Sequence, residues 1–142
     1  MDVNPEYQED ILQVDDLIGI PWKEDGLVLE DGGLNCWGLV KVVALRLGME
    51  IPAFDEYVDQ MATQIGEQLR EGFERFSGLF EPVEDPEEGD LVFFEIGDKC
   101  HIGVMLSASW FVHSRERIGV CKTRIRSLEY KPFFKGYYRW TA

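Results

Sequence analysis

No stretch of this chain is apolar over anything near the ~18 residues that a bilayer-spanning helix needs. The start, Met-Asp-Val-Asn-Pro-Glu, has neither a basic n-region nor an apolar h-region, so no classical secretion signal is expected. Repeats, low-complexity tracts and C-x-x-C pairs are also missing, which leaves a zinc ribbon or a thioredoxin-like motif without support. Histidine is scarce, with two residues, and the three cysteines are an odd number, Cys36, Cys100 and Cys121. Nothing in their spacing argues for a Cys100–Cys121 disulfide in a chain without a signal peptide.

What is present fits one soluble globular domain, 1–142, since 45% hydrophobic and 13% aromatic residues are too many for a disordered tail. The net charge of −13 is uneven. Residues 115–142 hold eight basic residues against two acidic ones, so the remainder is strongly acidic. An acidic majority argues against nucleic acid as a partner, because binding it requires phosphate neutralisation. The basic end reads as alternate strand residues facing water, or as a face for an anionic partner.

Residues 5–18 predict a helix ended by Gly19-Ile20-Pro21, followed by a Gly- and acid-rich loop. Asn35 is a good N-cap for a helix running to Leu47, with Gly48 as its stop. On it Cys36, Leu39, Val40, Val43, Ala44 and Leu47 share one face. A further amphipathic stretch, about 55–76, predicts a helix weakened by Gly66 and Gly72. Residues 81–89 read as a turn. Short strand-like runs then follow at 91–95, 101–106, 110–114, 118–123 and 134–140, with hairpin separations. Helices first and strands later is an α+β order with an antiparallel sheet of about five strands.

Cys36 falls on the first helical turn, where the dipole and the N–H groups stabilise a thiolate and can hold an oxyanion. A buried core cysteine explains the same position equally well. His101 and His113 fall in neighbouring strands joined by Ser107-Ala108-Ser109, an arrangement that can bring two imidazoles to one face. A cysteine, a histidine base and a third group orienting the imidazole is the general pattern for a thiol nucleophile. Two unrelated histidines, or a metal held by one cysteine and two histidines, are the competing explanations. The metal lacks a further ligand at a suitable spacing, so no metal and no cofactor is expected.

Three segments carry a resemblance: Gly19-Ile20-Pro21-Trp22 with Leu34-Asn35-Cys36-Trp37-Gly38-Leu39-Val40; Glu88-Gly89-Asp90-Leu91-Val92-Phe93-Phe94; and His101-Ile102-Gly103-Val104-Met105-Leu106 with Phe111-Val112-His113-Ser114. Over about residues 16–115 they resemble, in order, the NlpC-like cell-wall cysteine peptidases of the papain-like superfamily. The resemblance implies a papain-like fold, with Cys36 as nucleophile, His101 as general base and His113 orienting the imidazole. It implies Trp22, Asn35 and Trp37 beside the substrate, a peptidoglycan stem peptide cut between γ-D-glutamyl and a diamino acid. Trp37 and the absent signal look most like phage tail-associated members, which reach the wall in a virion, with tail proteins as partners. Two departures stand out. Asn35 replaces the usual aspartate, and Trp22 stands where many members have a tyrosine whose hydroxyl lies in the active site. An amidase or acyltransferase on the same chemistry, and a tail-assembly protein that keeps the fold without using the site, are the alternatives.

Overall fold

The computed structural model describes residues 13–26, 28–48, 80–97 and 99–141. Helix α1 runs Cys36–Arg46, and Asn35 caps it in extended conformation, its side chain accepting from the Gly38 N–H. Leu39 and Val40 are fully buried, and so, nearly, are Trp37, Val43 and Ala44. Burial reaches beyond the expected stripe to Gly38 and Val42, so most of the helix surface is covered. Each fully buried Leu or Val contributes ~1.5–3 kcal/mol.

Among the described residues six strands follow: β1 (Phe80–Val83), β2 (Leu91–Ile96), β3 (Lys99–Met105), β4 (Trp110–Arg115), β5 (Gly119–Arg124) and β6 (Phe134–Trp140). They form one antiparallel sheet in the order β1-β6-β2-β3-β4-β5. Alternation divides the side chains between two faces. Leu91, Phe93, Ile102, Val104, Val112 and Val120 join the α1 residues in one core. Val92, Phe94, Met105, Phe111 and Tyr130 form a second cluster. Asp90, just before β2, takes Arg139 of β6 in a two-pronged ion pair at 2.9 and 2.8 Å, pinning adjacent strands together.

The α+β architecture is the expected one, with six strands where about five were expected. The addition is β1, whose Glu81, Pro82 and Val83 were read as part of a turn. Among the described residues it is an outer strand paired only with β6, and an edge tolerates a proline that cannot donate to a ladder. Of the helix expected over 5–18, the described part holds a short 3₁₀ turn at Asp15–Leu17. Residues 5–12 and the helix expected over 55–76 lie outside the described residues. Beyond that turn, Gly19 N–H donates to Val120 and Val120 N–H to Ile20, both at 2.9 Å, so this segment flanks β5. No described helix is long and apolar enough to cross a membrane.

Candidate active site

The loop before α1 is built from backbone contacts. Leu34 N–H donates to Pro21 and Asn35 N–H to Gly26, each at 2.9 Å. Gly26 lies directly against the Gly33 carbonyl, where a Cβ would collide with main chain, so only glycine fits this crossing. The Asn35 amide is used at both ends: Oδ1 accepts from Gly38 N–H at 2.7 Å and Nδ2 donates to the Glu24 carbonyl at 2.8 Å. This delivers Cys36, partly buried, to the first turn of α1 beside the helix-side core. The Gly38 N–H is engaged by Asn35 and is therefore not open to an oxyanion.

The two histidines meet. His101 Nε2 lies 2.7 Å from His113 Nδ1, and His113 Nε2 lies 2.8 Å from Thr123 Oγ1. Cys121 Sγ is 3.6 Å from His113 Nε2 and 3.9 Å from Thr123 Oγ1. Register explains the gathering. His113 pairs with Cys121 and Phe111 with Thr123, and Val104 with Val112. Alternation then places Gly103 beside His113 on the same face as His101. A Cβ on Gly103 would come within 2.8 Å of the Phe111 ring and 2.9 Å of the Val112 carbonyl, so the absent side chain makes room for this pair of strands.

The pair sits in an aromatic box. Tyr130 stacks on His101 at 6.0 Å and meets His113 edge-on at 5.0 Å, while Phe111 lies 4.4 Å from His113. Burial, reinforced by the Arg115 charge, lowers the pKa of His101 from 6.5 to about 4. Burial, then the neighbouring His101 and Arg115, lowers that of His113 to about 2. Both imidazoles are therefore neutral at pH 7, each with one N–H and one bare nitrogen. Arg115 itself lies 5.5 Å over the Tyr130 ring and pairs with Glu129 at 2.8 Å.

Of the residues expected at the site, His101 and His113 are brought together. Their hydrogen bonds run to each other, to Thr123 and to Cys121. They lie among the rings of Phe94, Phe111 and Tyr130, and Cys36 packs beside the α1 core. Trp22 is partly exposed, Asn35 is a cap and loop clamp, and Trp37 is 3% exposed within the core. Thr123, Cys121 and Tyr130 were not anticipated. Alternation within β5 places Cys121 and Thr123 on one face, but the β4–β5 register that sets them against His113 is a tertiary property. Among the described residues, no group of three His, Cys, Asp or Glu side chains is arranged to hold a metal ion.

The fold has counterparts among solved structures. The solved structure of a protein described as similar to a lipoprotein of the NLP/P60 family, from Staphylococcus aureus subsp. aureus Mu50, superposes with a TM-score of 0.65 at 16% identity, over 100% of this chain and 44% of that one. An NlpC/P60 family protein from Bacillus cereus ATCC 10987 gives 0.64 at 18% identity, over 94% of this chain and 40% of that one. The chain thus spans less than half the length of either, and the likeness is one of fold. No curated protein matches. The model of the NlpC/P60 family matches residues 21–139, from the Pro21-Trp22 segment through the last strand, and the chain belongs to the NlpC/P60 family.

Proposed function

We propose that residues 1–142 form a single cysteine endopeptidase domain that hydrolyses peptidoglycan stem peptides at the γ-D-glutamyl–diamino acid bond, delivered to the wall as a phage tail-associated protein. Family membership supports a cell-wall hydrolase. The observation that carries the catalytic reading is the 2.7 Å contact between His101 and His113 in a chain whose Cys36 opens helix α1. Tail association rests on the resemblance around Cys36-Trp37.

In this reading Cys36 attacks the scissile carbonyl as His101 takes the thiol proton, and the first-turn N–H groups stabilise the oxyanion. The C–N bond breaks as His101 returns the proton to the leaving amine. Water, deprotonated by His101, then opens the thioester and restores the thiol. His113 holds the imidazole of His101, and Trp22, Asn35 and Trp37 shape the substrate side of Cys36. The chemistry requires Cys36 and His101 to meet in the substrate complex, and catalytic hydrogen bonds often form only there.

A second reading follows from one distance. Cys121 Sγ lies 3.6 Å from His113 Nε2. In that case Cys121 is the nucleophile, His113 its base and His101 the orienting group.

Digestion of purified muropeptides, read by mass spectrometry, separates the two. Wild type should release cut stem peptides, Cys36→Ala none, and Cys121→Ala the wild-type fragments, while His113→Ala slows turnover ~100-fold or more. Cleavage that survives Cys36→Ala and is lost in Cys121→Ala reverses the assignment. No cleavage by wild type would sink the peptidase reading.

A further inference from the structure

The geometry points to Thr123 as a positioning residue that, through His113, fixes which nitrogen of His101 is bare: Thr123 Oγ1 accepts from His113 Nε2–H, His113 Nδ1 accepts from His101 Nε2–H, and His101 Nδ1 is left as the basic atom. The inference rests on the reading of the histidine pair as the catalytic base with its orienting group.

Two proton arrangements satisfy the heavy-atom distances of 2.7 and 2.8 Å along this chain. In the reverse arrangement Thr123 donates to His113 Nε2, and His113 Nδ1–H donates to His101. The surroundings of His113 Nε2 decide between them. Two groups face that nitrogen, Thr123 Oγ1 at 2.8 Å and Cys121 Sγ at 3.6 Å. A bare imidazole nitrogen has one lone pair, which two donors, a hydroxyl and a thiol, would contest. An N–H at the same place meets two acceptors, each with lone pairs to spare. His113 is fully buried, so a displaced donor there would not recover a partner from water.

The far end of the chain agrees. No hydrogen bond joins Nδ1 of His101 to a described residue. In the reverse arrangement that nitrogen carries the proton, whereas in the proposed one it carries the lone pair that a base needs. Thr123 touches no reacting atom. It acts two residues upstream, and Cys121, at its longer distance, is the weaker acceptor.

The test is a long-range ¹H–¹⁵N correlation spectrum of the histidine side chains in the full-length protein at pH 7, with kinetics on the muropeptide substrate. Wild type should show His101 and His113 both protonated on Nε2; protonation of His113 on Nδ1 overturns the inference. Thr123→Val, which keeps shape and removes the acceptor, should mix the tautomers of His113 and lower kcat ~10–100-fold with KM unchanged, and Thr123→Ser should restore both. An unaltered spectrum and kcat in Thr123→Val also overturns it. If that variant does not fold, the wild-type spectrum decides. A wild type that shows the Nε2–H pattern and cleaves nothing overturns the peptidase reading while the tautomer assignment stands.

Discussion

Ser114 Oγ donates a 2.6 Å hydrogen bond to the main-chain carbonyl of Leu34, eighty residues away. Ser114 directly follows His113, and Leu34 stands two residues before Cys36. The bond therefore fixes the strand that bears His113 against the segment that leads into helix α1, and both partners are buried.

Ser114→Ala should cost ~1–2 kcal/mol, because the Leu34 carbonyl keeps only a long 3.4 Å bond from Lys23 N–H. Urea unfolding measures it. A midpoint equal to wild type would mean that the two segments are held by packing alone.

Asn35→Ala removes the cap of α1 and the clamp on Glu24 together, and should destabilise by ~1–2 kcal/mol. Asn35→Asp keeps an acceptor for Gly38 N–H but has no donor for Glu24, so it should recover only part of that loss. Full recovery in Asn35→Asp would show that the clamp contributes nothing.

Gly103→Ala should destabilise by ~1–3 kcal/mol, since the new methyl meets the Val112 carbonyl as well as the Phe111 ring, and main chain yields less readily than a side-chain tip. The strain falls beside His113, so activity on muropeptides should drop as well. Unfolding midpoints and turnover that both match wild type would contradict the close packing of β3 on β4.

Acid should weaken the fold through the histidines. The pKa values of His101 and His113 lie near 4 and 2 in the folded chain, below the ordinary 6.5 of an unfolded one. Below pH 6.5 the unfolded chain binds protons that the folded chain refuses, so stability is full above 6.5 and falls as pH drops toward 4. Each histidine contributes a slope of up to ~1.4 kcal/mol per pH unit. Urea midpoints at pH 7, 6 and 5 should fall more steeply for wild type than for His101→Gln. Equal slopes would mean that His101 titrates as if exposed.

Much of this was legible in the sequence because the signals were local. Asn35, the apolar spacing from Cys36 to Leu47 and Gly48 delimit α1 without reference to the rest of the chain. Alternating runs such as Trp110–Ser114 locate strands to within a residue or two. β1 escaped because Pro82 among acidic residues reads as a turn, and only pairing with β6 makes it a strand. At the site, the sequence yields the two histidines and their common face. Thr123 and Cys121 depend on a register between β4 and β5 that slides freely in any local reading, and a shift of one residue would turn both away from His113.

The crossing of Gly26 over Gly33 has an engineering consequence. Its two ends are locked to each other and to Pro21 and Asn35 by main-chain contacts close to Cys36. Loop length is thermodynamically cheap to change when both ends are held. A recognition peptide or a tag spliced within residues 28–32 would ride next to Cys36 without moving it, whereas the same insertion after Gly33 would push directly on the helix start.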